Sequence, residues 1–141
     1  FALVSLAGRC LLETGGNVLH VHDLVDFVSQ EAKKAGRNAA LYLKCSRNSA
    51  ELVRLEGKNG VRYTVPQYID PESMDDTVTV RFRVGQPYRD AALCAWVDGT
   101  LLRRISKRIL TPGEMEQFPL HREELPAGCR NITFTVEEVA K

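Results

Sequence analysis

The sequence predicts a mainly β chain in which one amphipathic helix precedes a series of short strands. Apolar and small residues recur at steps of three and four up to about residue 44, as they do on one face of a helix. From Ala50 onward apolar and polar residues alternate, and turn signals recur roughly every eight to twelve residues, which is typical of an all-β domain. We therefore divide the chain into residues 1–45 and residues 50–141.

The helix is expected to begin near His22 or Asp23 and to end near Lys44. Asp23 and Asp26 fall in its first turn, where the helix dipole favours negative charge. Six residues are expected to form its apolar face: Leu24, Val28, Ala32, Ala35, Ala39 and Leu43. Such a face is expected to pack against a sheet, another helix or a second copy of the chain.

The clearest strand is expected over residues 77–84, where valine and phenylalanine alternate with threonine and arginine. Further strands are expected over 52–55, 61–65, 91–97, 100–110, 114–121 and 132–136. Asn59-Gly60 and Asp98-Gly99 are dipeptides typical of hairpin turns. About seven strands with such turns predict an antiparallel β-sandwich of the immunoglobulin or fibronectin type III kind. Trp96 is expected to anchor the core between its two sheets.

Composition and charge exclude several classes of partner. The chain is 44% hydrophobic and 26% charged with a net charge of +1, so no bulk attraction to nucleic acid or to an anionic membrane is expected. No apolar run approaches the roughly 20 residues that cross a bilayer. A chain that begins at Phe1 instead of methionine is expected to be cut from a longer protein.

The four cysteines predict a cytoplasmic protein. They are Cys10, Cys45, Cys94 and Cys129, with wide spacing and no C-x-x-C pair. This spacing argues against a redox dithiol and a zinc knuckle, and favours reduced, mostly buried thiols. The spacing does not exclude a disulfide.

His20 and His22 are the residues most open to chemical interpretation. Two imidazoles two positions apart share one side of a strand, but no third ligand stands at a recognisable spacing, so no metal is expected. The simplest interpretation is a polar strand-to-helix turn in which one imidazole caps the helix. A role beside a ligand at the helix N-terminus is the alternative, and a small metal site is a weaker one.

No catalytic residue is predicted within this chain. Neither a G-x-S-x-G nor a G-x-G-x-x-G pattern is present. The second pattern is the glycine turn of dinucleotide-binding folds, so a complete nucleotide-binding enzyme of that kind is excluded. A basic cluster is formed by Arg103, Arg104, Lys107 and Arg108. A solvated face is its simplest interpretation, and docking to an acidic surface is the alternative.

The run GNVLHVHDLVDFVSQEA, which begins at Gly16, carries a family resemblance. Together with Ala35-Gly36, Ala39-Ala40 and Tyr42-Leu43, it resembles a late segment of the pyridine nucleotide-disulfide oxidoreductase family, and in particular a bacterial subgroup of FAD-dependent oxidoreductases. The resemblance covers about residues 15–44. It implies a parent flavoenzyme that uses NAD(P)H, and it implies that residues 1–45 are the C-terminal remnant of an α/β FAD-binding domain.

The resemblance also implies roles for four residues in the intact parent. Gly16 and Asn17 would contact the ribityl chain of FAD, and His20 or His22 would lie near the isoalloxazine ring. Asn17 stands where the family usually has aspartate, and an amide can still hydrogen-bond a ribityl hydroxyl.

The remaining parts of such a flavoenzyme are not in this sequence, so the 141 residues are expected neither to bind FAD nor to catalyse alone. The β-sandwich is then an accessory domain that docks to the rest of the flavoenzyme or to a partner subunit. Arg81 and Arg83 are candidate exposed contact residues. A homodimer through the exposed helix face is a further expectation. The alternative is a stand-alone β-sandwich that binds protein without any flavin.

Overall fold

A computed structural model describes residues 25–26, 28–30, 32–33, 36–37, 51–72 and 74–138. The chain divides into two units, Phe1–Glu51 and Leu52–Lys141. All described residues between 25 and 37 are helical, which agrees with the predicted helix at those positions. Val28 is half-buried there, whereas Ala32 of the expected apolar face is exposed.

The second unit is built from β-strands, so the predicted mainly β class is confirmed. In chain order the strands are β1 (Val53–Gly57), β2 (Tyr68–Ile69), β3 (Thr77–Phe82), β4 (Tyr88–Val97), β5 (Thr100–Leu110), β6 (Glu116–His121) and β7 (Asn131–Glu138). A short 3-10 helix, Arg122–Glu124, lies between β6 and β7.

The strands form two sheets. The larger has the order β2-β1-β7-β4-β5, and the smaller pairs β3 with β6. β1 runs parallel to β7, with Leu55 opposite Ile132, so the larger sheet is mixed and the wholly antiparallel prediction was wrong at this pair. A tight hairpin forces its two strands to be antiparallel, but β1 and β7 are separated by most of the unit and are free of that constraint.

Both sheets contribute side chains to one hydrophobic core. Phe134 of β7 lies 5.9 Å from Phe82 of β3 and 5.4 Å from Phe118 of β6, measured between ring centroids. All three rings are fully buried. The expected inward face of residues 78–84 is confirmed, because Val80, Phe82 and Val84 are completely buried and Val78 packs against the core.

Trp96 is not the core anchor that the sequence predicted. Alternate residues of β4, such as Leu93 and Ala95, belong to the core, whereas Trp96 does not. Because successive side chains of a strand point to opposite faces, Trp96 lies on the outer face of the larger sheet. Its indole N–H donates a hydrogen bond of 2.9 Å to Thr135 Oγ1.

The Asn59-Gly60 turn carries the chain from one sheet to the other. Both residues have positive φ, 42° and 99°, and the Val61 N–H donates to the Lys58 carbonyl over 3.1 Å. The predicted hairpin pairing was nevertheless wrong. β1 pairs within the larger sheet, while Val61 and Val65 form bridges to Val84 and Arg81 beside the smaller one. Asp98-Gly99, by contrast, closes the predicted hairpin between β4 and β5.

Candidate functional site

The four residues to which the resemblance gives a flavin role, Gly16, Asn17, His20 and His22, lie outside the described residues. Their expected contacts therefore stay predictions. Among the residues that are described, no group of three or more His, Cys, Asp or Glu side chains is placed to hold a metal ion. Within the same part of the chain we find no helix with the length and apolarity that a membrane span requires.

The candidate site of the described β unit is strand β5, which we call the basic strand. Its sequence, TLLRRISKRIL, contains four cations and no acidic residue. It lies at one end of the larger sheet and pairs with β4, with Ile105 opposite Leu93. In the part of the chain that the structure describes, the other edge of the basic strand has no strand partner.

The side of the basic strand that faces the smaller sheet is held by ion pairs. Arg103 Nη1 lies 3.2 Å from Glu124 Oε1, and the guanidinium carbon of Arg103 lies 4.8 Å from the centroid of the Phe118 ring. Lys107 Nζ lies 3.0 Å from Oε2 of Glu116, whose carboxylate is buried. These two cations tie β5 to the segment around β6, so the expected solvated face does not include them.

The outward side of the basic strand is open to solvent. Arg104, Ser106 and Arg108 are exposed, while the intervening residues are half-buried. Arg104 Nη2 lies 4.0 Å from Glu137 Oε2, and both side chains are about half-exposed, at 45% and 40%. Water screens such a loose surface pair, so Arg104 can exchange Glu137 for another carboxylate at little cost.

The thiol opposite Arg104 is not a nucleophile. Cys94 is fully buried although it lies on the outward side of β4. Burial, and after it the neighbouring Glu137 carboxylate, together raise its pKa from the ordinary 9.0 to about 11. The thiolate is the reactive form, so Cys94 is inert at neutral pH.

Apolar features lie toward both ends of the basic strand. Leu101 is 45% exposed and Ile109 is 57% exposed. One hollow of about 380 Å³ is lined by Asp90, Ala91, Ser106, Lys107 and Arg108. A second, of about 280 Å³, is lined by Val97, Asp98, Thr100, Leu101, Leu102 and Pro126. The strand therefore offers cations near its middle and room for side chains toward each end.

Arg81 and Arg83 are both half-buried, so the expectation that they are exposed was wrong. The Arg83 guanidinium donates to the Gly113 carbonyl, and the backbone of Arg81 exchanges two hydrogen bonds of 2.8 Å with Val65. Their positions in and beside a paired strand explain this burial. We therefore exclude them from the candidate site.

A polar cluster on the outer face stabilises the parallel pairing of β1 with β7. Asn131 Nδ2 donates to Glu56 Oε1 over 2.8 Å, and Lys58 Nζ lies 2.7 Å from the same oxygen. The hydrogen bond from Lys58, followed by that from Asn131, holds the pKa of Glu56 below its usual value. Every strong contact of this carboxylate is made within the fold, so the cluster is structural.

Sequence reasoning found the basic residues but missed what makes them a site. The signal in the sequence was the presence of four cations without any acidic residue over 100–110. The position of this strand at the end of the sheet carries no local signal. No family model matches the chain, and no curated protein or solved structure matches it.

Proposed function

We propose that the chain is the C-terminal part of an FAD-dependent, NAD(P)H-linked oxidoreductase of the pyridine nucleotide-disulfide oxidoreductase family. The observation that carries the proposal is the run GNVLHVHDLVDFVSQEA from Gly16 onward. The helical conformation of the described residues between 25 and 37 is the local structure that the resemblance requires. In the parent, Gly16 and Asn17 bind the ribityl chain, and His20 or His22 lies near the flavin ring.

The bound FAD of the parent would accept hydride from NAD(P)H and pass electrons to an acceptor. Residues 1–45 supply one wall of that site and no catalytic group. The 141 residues alone are therefore expected to be inactive and to bind no FAD. The free thiols of Cys94 and Cys129 support the cytoplasmic location that we propose for the parent.

The β unit is, in this proposal, an accessory domain of the immunoglobulin or fibronectin type III kind. Two sheets that share one core of phenylalanine and aliphatic side chains support that assignment. Its role is to dock the parent to a partner subunit or to the rest of the chain. The basic strand is the surface that supports such a role, because its open edge and exposed cations are not needed to hold the fold together.

The colour of the intact parent tests the proposal. We expect the purified parent to be yellow, and Asn17→Leu to weaken its FAD affinity by about tenfold, since one hydrogen bond to the ribityl chain is lost. Asn38→Leu makes the same change at an asparagine to which the resemblance assigns no flavin contact, and is expected to leave the affinity unchanged. A colourless parent that cannot be reconstituted with FAD would overturn the assignment.

The alternative is a stand-alone binding module without flavin. It is favoured by one observation, namely that the described residues from Val53 to Val136 form one buried hydrophobic core cluster. An upstream gene sequence with a G-x-G-x-x-G turn after its first strand would decide for the flavoenzyme.

A homodimer through the helix stays a prediction, supported by the 76% exposure of Val25 and testable by sedimentation.

A further inference from the structure

We propose that the open edge of the basic strand binds an extended segment of a partner protein as an added β-strand, and that this segment alternates acidic and apolar residues. The inference rests on the docking role proposed above and names its partner chemistry. Strand addition is an established way in which sheets recognise peptides: the backbone supplies affinity and the side chains supply specificity.

The backbone of β5 is suited to this mode. The strand has eleven residues, is continuous from Thr100 to Leu110, and lies at the end of the larger sheet. Alternate N–H and C=O groups of a strand point away from its existing partner. In the described unit no other strand covers those groups, so the edge can pair with a further strand.

The charge of the strand selects the occupant. Four cations without an acidic residue are concentrated in a chain whose net charge is only +1. A second copy of the chain would place β5 against β5, and its like charges would repel across the new pair. Charged edges deter self-association for this reason, whereas an acidic strand is attracted.

The two sides of the strand determine the pattern of the segment. On the outward side, Arg104 and Arg108 are exposed and flank Ser106, so acidic residues at alternate positions would meet them. On the opposite side, Arg103 and Lys107 already have carboxylate partners, and Ile105 packs against the core. Apolar residues at the intervening positions would extend that packing.

The ends of the strand reinforce this pattern. Leu101 and Ile109 are large exposed hydrophobic residues, and both lie on β5. A shallow surface hollow beside each end leaves room for a side chain of the segment. Cations in the middle and apolar contacts at the ends together fit an acidic and apolar strand better than a uniformly acidic one.

Binding of a peptide to the 141-residue chain tests the proposal. The probe is a fluorescein-labelled peptide of alternating glutamate and valine, about seven residues long, measured by anisotropy. We expect it to bind at least tenfold more tightly than a lysine and valine peptide, and more weakly as salt is raised. The double variant Arg104→Glu, Arg108→Glu should lose at least tenfold, while Arg62→Glu, Arg122→Glu, also on exposed positions, should change affinity less than twofold.

Two further measurements test the mode of binding. Alternate backbone amides of β5 should gain protection from hydrogen exchange when the peptide is bound. N-methylation at every second residue removes alternate N–H donors of the peptide. The peptide should still bind when the methylated positions face away from β5, and should fail to bind when they face β5. Equal binding of the lysine peptide, unchanged protection of β5, or dimerisation through β5 without peptide would each overturn the proposal. The flavin assignment is tested by the colour of the parent, which does not depend on peptide binding. Failure of one proposal can therefore be told apart from failure of the other.

Discussion

Cys94 lies in an environment that favours the neutral thiol over the thiolate. It is fully buried, and the Glu137 carboxylate is close enough to add its negative charge to the effect of burial. A buried thiolate beside a carboxylate would lose hydration and meet like-charge repulsion at once. The side chain therefore acts as a small apolar residue that fills the gap between its neighbours on the sheet.

The free energy of unfolding is expected to fall between pH 9 and about 11 because of this thiol. The folded pKa is raised from 9.0 to about 11, so the contribution is fully present below pH 9 and is lost as pH rises through about 11. The thiolate absorbance of the folded chain, measured against pH, gives the pKa directly. Cys94→Ala should reduce the pH dependence of urea unfolding in this window, and a Cys94 thiol that titrates near its ordinary pKa would contradict the prediction.

Single residues differ in how far the sequence reveals their place. Phe82 was predictable because apolar and polar residues alternate strictly around it, which fixes its face. The position of Trp96 was not predictable, because the run AALCAWV is apolar at successive residues and does not show which alternate set of side chains faces the core. The three buried phenylalanines occupy the space that Trp96 was expected to fill, and the indole N–H instead finds Thr135.

At the scale of elements, the same kind of dipeptide signal has two outcomes. Asp98-Gly99 and Asn59-Gly60 both have positive φ at each residue, as their sequences predict. The first joins paired strands, while the second is a corner held to β7, with the Val136 N–H donating to the Asn59 carbonyl over 3.0 Å. Local chemistry determines the turn, whereas the partners of its flanking strands depend on contacts distant in sequence.

Gly60 is expected to tolerate a side chain far less well than Gly99. Both have positive φ, 99° and 88°, so alanine is strained at either position. A Cβ at Gly60 would also meet the Tyr88 hydroxyl and lie 3.2 Å from Val136 Cβ, whereas one at Gly99 meets nothing within 4 Å. Gly60→Ala should therefore cost about 2 kcal/mol more than Gly99→Ala in urea unfolding.

Tyr88→Phe separates the two causes of that cost. It removes the hydroxyl that the new Cβ would meet, so Gly60→Ala should be less destabilising in a Tyr88→Phe chain than in the native one. The penalty of positive φ is common to both glycines and should persist. Equal costs at Gly60 and Gly99 would show that the corner does not pack closely against Tyr88.

At the scale of the whole molecule, strand content was predictable and strand order was not. The edge position of β5 follows from the strand order, because β4 pairs with β7 on its other side and β5 pairs only with β4 at the end of the described sheet. No property of residues 100–110 alone reveals this. The sequence therefore revealed the cations as a basic run, whereas their position on an edge strand, which makes them a candidate site, was seen only in the structure.

Residues 52–141 are expected to fold without the first unit, because they include the compact unit Leu52–Lys141 and, among the described residues, the buried core cluster runs from Val53 to Val136. Trp96 is the only tryptophan of the chain, so its fluorescence reports on this unit. We expect a single cooperative urea transition for residues 52–141. As a control, Phe134→Ala should lower the free energy of unfolding by about 3–5 kcal/mol, since it opens a cavity between two buried rings. A broad transition that this substitution leaves unchanged would mean that the shared core is not formed in the isolated unit.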